Sequence, residues 1–279
     1  MLAKALPSVL PPLTREEMLE VTHLHSLAGN EFEKIITERP FRSPHHSSSH
    51  VALVGGGSRL HPGEISLSHR GVLFLDELPE FDRDTLEALR QPLEDRIISL
   101  ARARDNAQFP ANFILIATAN PCPCGYAGSG QTCDCSSGEI NRYQSRLSGP
   151  ILDRIDLHCG VHEVDHDRLL TRSANPETDK SFRERIIQAR QRQARRYGSR
   201  SKLNVDMTNQ DVKRYSHLQP AAKVLLNFMA RKHNLSARAY FRTLKVARTI
   251  ADLEATTQIT EDHISEALNY RPRPLKDNL

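Results

Sequence analysis

Hydrophobic and polar positions follow one pattern up to residue 165 and another beyond it. In the first part, two uninterrupted apolar runs, Gly71–Leu75 and Phe113–Ala117, each end abruptly in polar residues. Runs that are apolar on both faces are typical of the central strands of a parallel sheet. The residues between the two runs include a helical pattern, so the sequence predicts a parallel crossover and an α/β domain over residues 1–165.

Three shorter patterns mark elements around these strands. Thr14 and Glu17 have the spacing of a capping box, and Gly29 follows the apolar positions of the helix that this box begins. Asp82 precedes a second helical pattern, where its side chain can cap the first backbone N–H groups. The stretch Arg96–Pro110 alternates on both sides of turn residues and predicts a β-hairpin.

The second part of the chain has helical periodicity. Residues 166–180 are polar and contain Asn175 and Pro176, so they are interpreted as a linker. Residues 181–279 are predicted to form a smaller, all-helical domain. Its expected helices are Phe182–Tyr197, Gln219–His233, Ala237–Thr256 and Thr260–Asn269.

Composition narrows the class of protein. With 38% hydrophobic and 26% charged residues among 279, the chain has the balance of a soluble globular protein. No apolar run approaches the ~18 residues of a membrane helix and no signal peptide is visible, so we expect a cytoplasmic protein without a membrane partner. A net charge of +4 permits a nucleic-acid partner without requiring one.

Polar side chains follow both predicted strands at the point where each strand ends. Asp76 and Glu77 follow the first run and Asn120 follows the second. Ligands of open α/β sheets bind outside the carboxyl ends of the strands. For nucleotide hydrolysis, Asp76 can hold the water ligands of Mg²⁺, Glu77 can polarise the attacking water, and Asn120 can position that water. The alternative is a strand that simply leaves the sheet through an acidic turn.

Four of the five cysteines lie in one short segment, as Cys122, Cys124, Cys133 and Cys135. Four thiolates on two tight turns can bind a tetrahedral Zn²⁺, and such a site is structural because it leaves no open coordination position. A redox or disulfide pair and a cluster without special function are the alternatives. Cys159 stands apart and is expected to be a small buried residue.

Histidines are frequent in the loops before the first apolar run. Their spacing matches no standard metal site, so they are interpreted as residues that make hydrogen bonds within loops. They are His45, His46, His50, His61 and His69.

The chain resembles the magnesium chelatase-like AAA+ ATPase family, in its YifB/ComM branch. The resemblance covers nearly the whole chain in order, and its motifs are specific. They are Arg39–His46, Gly56–Gly57, Pro62–Leu67, Gly71–Glu77, Ala119–Gly125, Ser148–His158, Leu235–Ala239 and Leu244–Leu253.

This resemblance implies the chemistry of a ring-shaped motor that binds ATP and Mg²⁺. Asp76 and Glu77 correspond to the Walker B pair of the family, and Asn120 corresponds to its sensor-1 residue. Complete members form hexamers, and the ComM branch is associated with helicase-type branch migration of DNA during natural transformation. Branched or single-stranded DNA is therefore an expected partner, together with further copies of the chain.

The resemblance also assigns roles to arginines. Arg154 matches the arginine that acts on the ATP of a neighbouring subunit, and Arg146 is the second candidate for that role. A structural ion pair of Arg154 with Asp153 or Asp156 is the alternative. Arg238 resembles the sensor-2 arginine that contacts the nucleotide, and an ordinary exposed helix arginine is its alternative.

The predicted hairpin carries the candidate DNA-binding residues. In related motors, the hairpin before sensor 1 points into the central pore, where phosphates pass. In this chain, that hairpin contains Arg102 and Arg104.

One feature departs from the family. A phosphate-binding loop, Gly-x-x-x-x-Gly-Lys-Ser/Thr, is expected before the first helix, and the sequence contains no such stretch. Gly55–Gly57 lacks the lysine and the spacing. The expectation is therefore a truncated AAA+ α/β core that lacks its first strand, its P-loop and the Lon-protease-like domain. A helical lid and a small four-cysteine zinc insertion complete the expected fold.

The missing loop leaves three functional readings open. The first is an ATP-hydrolysing motor subunit that is inactive as this chain alone. The second is a non-catalytic regulatory subunit that packs into a ring and lends Arg154 to a complete neighbour. The third and weakest is a metal-chelatase subunit.

Overall fold

The structure, a computed structural model, describes residues 2–29, 34–57, 60–101, 106–128, 130–147, 149–161 and 176–271. Its described residues divide into an α/β unit, residues 2–7 and 12–155, and a helical unit, residues 8–11 and 156–271. Every helix in the described ranges is too short or too polar to cross a lipid bilayer.

After the first helix of the chain, the described part of the α/β unit contains seven strands and seven α-helices. Its strands are β1 (Phe41–Arg42), β2 (Gly55–Gly56), β3 (His61–Pro62), β4 (Val72–Leu75), β5 (Ile97–Ala101), β6 (Asn106–Pro110) and β7 (Ile114–Ala117). Its helices are α2 (Arg15–Leu27), α3 (His50–Val54), α4 (Glu64–Leu67), α5 (Arg83–Ala88), α6 (Arg90–Asp95), α7 (Ser137–Ser145) and α8 (Gly149–Leu152), and α1 (Leu2–Val9) precedes them.

The central sheet has the strand order β1-β4-β7, and all its pairs are parallel. Val72 lies opposite Ile114 and Leu75 lies opposite Ala117, which places the carboxyl ends of β4 and β7 side by side. The predicted parallel crossover is confirmed. Gly71 allows β4 to start beside the neighbouring chain, since a Cβ on this residue would lie 2.0 Å from the Pro40 carbonyl oxygen.

The core of this unit lies around β4. All four residues of β4, the central strand of the sheet, are buried, as is typical of a strand covered on both faces. Leu86 and Leu89 pack into the same cluster, as the helical pattern after Asp82 predicts. Asp82 caps this helix by accepting from the backbone N–H of Thr85 at 2.8 Å. The helix is interrupted at Leu89, which separates α5 from α6.

Two further expectations agree with the structure. The capping box is present at the start of α2, where Thr14 and Glu17 each accept a backbone N–H of the other. Strands β5 and β6 form the expected antiparallel hairpin. The DNA-binding candidates Arg102 and Arg104 lie outside the described residues, between these two strands.

The helical unit begins earlier than the composition suggests. Its described helices are α9 (Pro176–Tyr197), α10 (Asn209–Tyr215), α11 (Pro220–Lys232), α12 (Ala237–Leu253) and α13 (Glu261–Asn269). Asp156 and His158 already belong to it, because Asp156 pairs with Arg242 and the His158 N–H donates to the Tyr270 carbonyl.

The predicted linker over residues 166–180 therefore needs correction at its end. Helix α9 begins at Pro176 and not at Ser181. Proline fits the first helical turn because the N–H that it lacks has no partner there. Helix α10 is an element that the sequence analysis did not predict. Its signal is the capping box of Thr208 and Asp211.

Buried charged side chains form a hydrogen-bonded network in the helical unit. Asp252 is fully buried and accepts hydrogen bonds from Arg196 at 2.7 Å, from Asn204 at 2.9 Å and from Arg248 at 3.2 Å. Arg248 is also fully buried and donates to the carbonyl oxygens of Thr256 and Thr257. Since buried ions are costly unless they are paired, each member of this network depends on the others.

Candidate functional site

The two acidic residues predicted for the site lie exposed at the carboxyl end of β4. We call residues 76–80 the Asp76 loop and residues 118–121, which follow β7, the Asn120 loop. Thr118 joins the two loops, because its hydroxyl donates to the Asp76 carboxylate and accepts the backbone N–H of Glu77 at 3.0 Å. The Leu78 N–H also donates to the Thr118 carbonyl at 2.8 Å.

Thr118 is a residue that the sequence analysis missed as a site residue. Its position in the sequence could have indicated this role. Thr118 is the first polar residue after one buried run, and the neighbouring buried run ends in the acidic pair. By fixing the Asp76 carboxylate and the Glu77 backbone, Thr118 sets the direction in which both acidic side chains leave the sheet.

The backbone of Glu77 adopts the left-handed conformation, with φ 54° and ψ 53°. A residue with a Cβ adopts this region at a cost, and Glu77 is held there by its N–H bond to Thr118. The turn directs the 48%-exposed Glu77 side chain toward the loop that follows β1, where His46 lies.

His46 is the second residue that the sequence analysis did not place at the site. Its Nδ1 lies 3.8 Å from Glu77 Oε2, and its ring packs against His45 and the edge of Phe81. His45 instead follows the expectation of local loop bonding, since its Nδ1 lies 2.8 Å from the Ser47 hydroxyl. Only three-dimensional pairing of β1 with β4 brings His46 to Glu77, and periodicity does not report such pairing.

Asn120 is exposed and lies on the loop that follows β7, beside the Asp76 loop. Tyr143, which is only 5% exposed, lies near the backbone of Asn120. Burial, together with the charges of Glu80 and Glu77, raises the pKa of Tyr143. Tyr143 therefore stays a neutral hydroxyl next to the acidic pair.

The four clustered cysteines come together. Their sulfur atoms all lie within 4.8 Å of one another. Cys122 Sγ lies 3.3 Å from Cys124 Sγ and 3.8 Å from Cys133 Sγ, and Cys124 Sγ lies 3.5 Å from Cys133 Sγ. Four sulfurs around Zn²⁺ at ~2.3 Å are about 3.8 Å apart in a tetrahedron. The donor set and its spacing fit a metal ion of that kind.

The turns of this segment suit the cluster. The Gly125 N–H donates to the Cys122 carbonyl and Gly125 has a φ of 86°, which favours glycine. The Tyr126 backbone N–H lowers the pKa of the Cys124 thiol to about 6, with a further contribution from Cys122. Cys159 is exposed, contrary to the expectation that it is buried, and lies after α8 in a segment without regular structure.

Arg154 has partners within its own unit. Its Nη2 lies 3.0 Å from Glu94 Oε2, its Nη1 donates to the Pro150 carbonyl, and its side chain is 12% exposed. The ion pair that the sequence analysis held as the alternative thus exists, but with Glu94 and not with Asp153 or Asp156.

The other two candidate arginines differ in setting. Arg146 is 51% exposed and donates to the Pro79 carbonyl at 3.2 Å and to Glu80 at 3.1 Å, so it contacts the Asp76 loop. Arg238 is exposed in the first turn of α12, after the capping residue Ser236 in the helical unit.

Comparison with known proteins decides the family. The magnesium chelatase subunit ChlI family matches residues 1–169, and the C-terminal domain of the same subunit matches residues 176–271. The chain belongs to the magnesium chelatase family. This family is of the AAA+ ATPase type, and the match confirms the resemblance drawn from the sequence motifs at the level of the family.

Two relatives in this family support the YifB/ComM branch. YifB of Salmonella typhimurium is 44% identical and competence protein ComM of Haemophilus influenzae is 45% identical, each over 97% of this chain. The chain spans 53% of the length of each, about half of the curated relatives it matches. A more distant relative is the DNA replication licensing factor mcm6 of Schizosaccharomyces pombe, 25% identical over 76% of the chain and 23% of its own length.

Proposed function

We propose that this magnesium chelatase family chain is part of an ATP-hydrolysing AAA+ motor subunit. The observation that carries the proposal is the position of Asp76, Glu77 and Asn120 at the carboxyl ends of two adjacent parallel strands. Thr118 links the two loops that hold them. Carboxylates beside a polar amide at this edge are suited to holding Mg²⁺ and to orienting a water for nucleotide hydrolysis.

Each side chain has one role in this proposal. Asp76 holds Mg²⁺ through the water ligands of the ion, and the ion neutralises charge on the phosphates of ATP. Glu77 polarises the attacking water, and Asn120 orients that water. Arg238 keeps the sensor-2 role that the family resemblance implies, contact with the nucleotide phosphates.

Arg154 is the proposed arginine that acts on ATP held by a neighbouring subunit of a hexameric ring. An arginine supplied in this way stabilises the charge of the transition state. In the single chain, Glu94 holds Arg154 at 3.0 Å, so assembly must open this pair before Arg154 reaches a neighbour.

DNA, branched or single-stranded, is the proposed partner of the motor. Support comes from relatives whose names refer to competence and to DNA replication, and from the net charge of +4. Arg102 and Arg104, between β5 and β6, are the proposed contacts to phosphates that pass through the ring.

The cysteine cluster is the proposed site of a structural Zn²⁺. Support comes from the mutual distances of the four sulfurs, which match a tetrahedral ion. Because Cys122 lies two residues after Asn120, the ion would stiffen the end of the Asn120 loop.

Subunit mixing tests the hydrolytic proposal. The chain is joined to the phosphate-binding segment that precedes this region in the family, and ATP turnover is measured for Arg154→Ala, for Glu77→Gln and for a mixture of the two. We expect each variant alone to be inactive and the mixture to recover part of the activity, since each subunit supplies what the other lacks.

The outcomes are separable. A joined protein whose turnover is unchanged by Glu77→Gln contradicts the whole assignment. If Arg154 has only a structural role, the Arg154→Ala variant is less stable and mixing restores no activity. Nucleotide binding is measured in parallel to separate this outcome from a role in the transition state. A transition-state role lowers turnover far more than binding.

A further inference from the structure

Helix α7 and the residue after it contact both loops of the candidate site. Gln144, on this helix, donates from Nε2 to the Pro121 carbonyl at 2.9 Å, next to the buried Tyr143. This bond holds the backbone of the Asn120 loop at the residue that follows Asn120.

The same element reaches the Asp76 loop through Arg146. The Nη1 atom of Arg146 donates to the Pro79 carbonyl at 3.2 Å and to the Glu80 carboxylate at 3.1 Å. Pro79 lies two residues after Glu77, inside the short helix Leu78–Glu80 that turns the chain away from the sheet. A charge-assisted bond to this turn limits how far Glu77 can shift.

The start of α7 is fixed independently. Ser136 caps the helix in a full capping box with Glu139, and Cys135, the last residue of the cysteine cluster, directly precedes Ser136. The cap therefore holds the first turn of α7, and Gln144 and Arg146, at the other end of the helix, are bonded to the two loops.

We propose that Arg146 is a positioning residue within its own subunit: together with Gln144 on α7 it holds the Asp76 loop and the Asn120 loop in one arrangement. On this view Arg146 does not act on the ATP of a neighbour. The inference rests on the proposed function for the catalytic role of the two loops. The bonds from Gln144 and Arg146 to the loops, which we call the clamp, can be tested on this chain alone.

The first test uses the chain alone and needs no hydrolysis. Amide hydrogen exchange is compared for Arg146→Ala and for Arg142→Ala, an exposed arginine one turn earlier on the same helix. For Arg146→Ala we expect about tenfold faster exchange of the amides at Leu78, Glu80 and Phe81, the effect of losing a charge-assisted bond at the loop. Arg142→Ala should leave these amides unchanged.

A second variant separates the clamp from general loss of fold. Glu80→Gln removes the ion pair but keeps the bond to the Pro79 carbonyl, so we expect a smaller increase in exchange confined to the same amides. Unchanged exchange in Arg146→Ala, or an equal increase across the whole α/β unit, overturns the clamp.

The second test asks whether Arg146 acts within or between subunits. In the joined, hydrolysing protein, Arg146→Ala subunits are mixed with Glu77→Gln subunits. A positioning residue of its own subunit gives no recovery, because one subunit has a displaced loop and the other has no catalytic carboxylate. Recovery of turnover on mixing overturns the inference in favour of a role across the boundary. A joined protein with no turnover contradicts the proposed function, and the exchange result still decides the clamp.

Discussion

At the scale of single residues, some residues of the candidate site can be predicted from the sequence and others cannot. Asp76, Glu77 and Asn120 are visible because each follows a run that is buried as a strand, and strand order then brings them to one edge. His46 and Thr118 are not visible, because their roles depend on which strands pair and on a single hydroxyl. The local pattern of apolar and polar residues indicates burial and periodicity. Contacts between loops that are distant in the sequence can be identified only when the pairing of the strands is known.

We predict that His46 contributes to turnover by orienting the Glu77 carboxylate. In the joined protein, His46→Ala should lower turnover by about tenfold while ATP binding stays nearly unchanged, since Glu77 acts on water and not on nucleotide affinity. His45→Ala is the matched control, because the polar contact of His45 is to Ser47. Equal losses in the two variants would show that ring packing in the loop matters and the contact with Glu77 does not.

At the scale of elements, the parallel strands, the hairpin and the first capping box were all predictable, since each has a strong local signal. The start of α9 was not, because Asn175–Pro176 is equally typical of a turn and of a helix beginning. The break between α5 and α6 also escapes prediction, since the apolar positions continue through Leu89 without a change of period.

We predict that the four-cysteine segment binds about one zinc ion per chain, which elemental analysis of protein made without added metal would measure. Cys133→Ser combined with Cys135→Ser should abolish the bound zinc, and Cys159→Ser, an exposed cysteine outside the cluster, should retain it. Chelation should speed hydrogen exchange at residues 119–124 more than in α12. A protein without zinc, or with zinc retained in the double variant, would contradict the assignment.

At the scale of the whole molecule, composition predicts an α/β part followed by a helical part but misplaces the boundary between them. Polarity changes after residue 165, whereas the backbone joins the helical unit from Asp156 through its contacts with Arg242 and Tyr270. Composition describes which residue types a segment contains. Whether the segment belongs to the α/β unit or to the helical unit depends on which residues it contacts.

We predict that the helical unit can be destabilised separately through its buried charge. Asp252→Asn leaves the buried Arg248 and its neighbour Arg196 without a counter-ion, so the free energy of unfolding of this unit should fall by about 3–5 kcal/mol. Calorimetry should show the effect in the transition of the helical unit, with Asp262→Asn, an exposed aspartate on α13, as the control. A matching loss in the control, or none in Asp252→Asn, would contradict the dependence on the pair.

The left-handed backbone at Glu77 has a consequence for laboratory evolution of this chain. A residue with a Cβ at that φ is disfavoured by about 1 kcal/mol, and glycine removes the penalty. Selection for heat resistance alone would therefore enrich glycine at position 77, and the enriched proteins would lack the carboxylate that the proposed hydrolysis needs. At position 77, thermal stability favours glycine and turnover favours glutamate. A library screened for thermal stability must therefore also be screened for turnover.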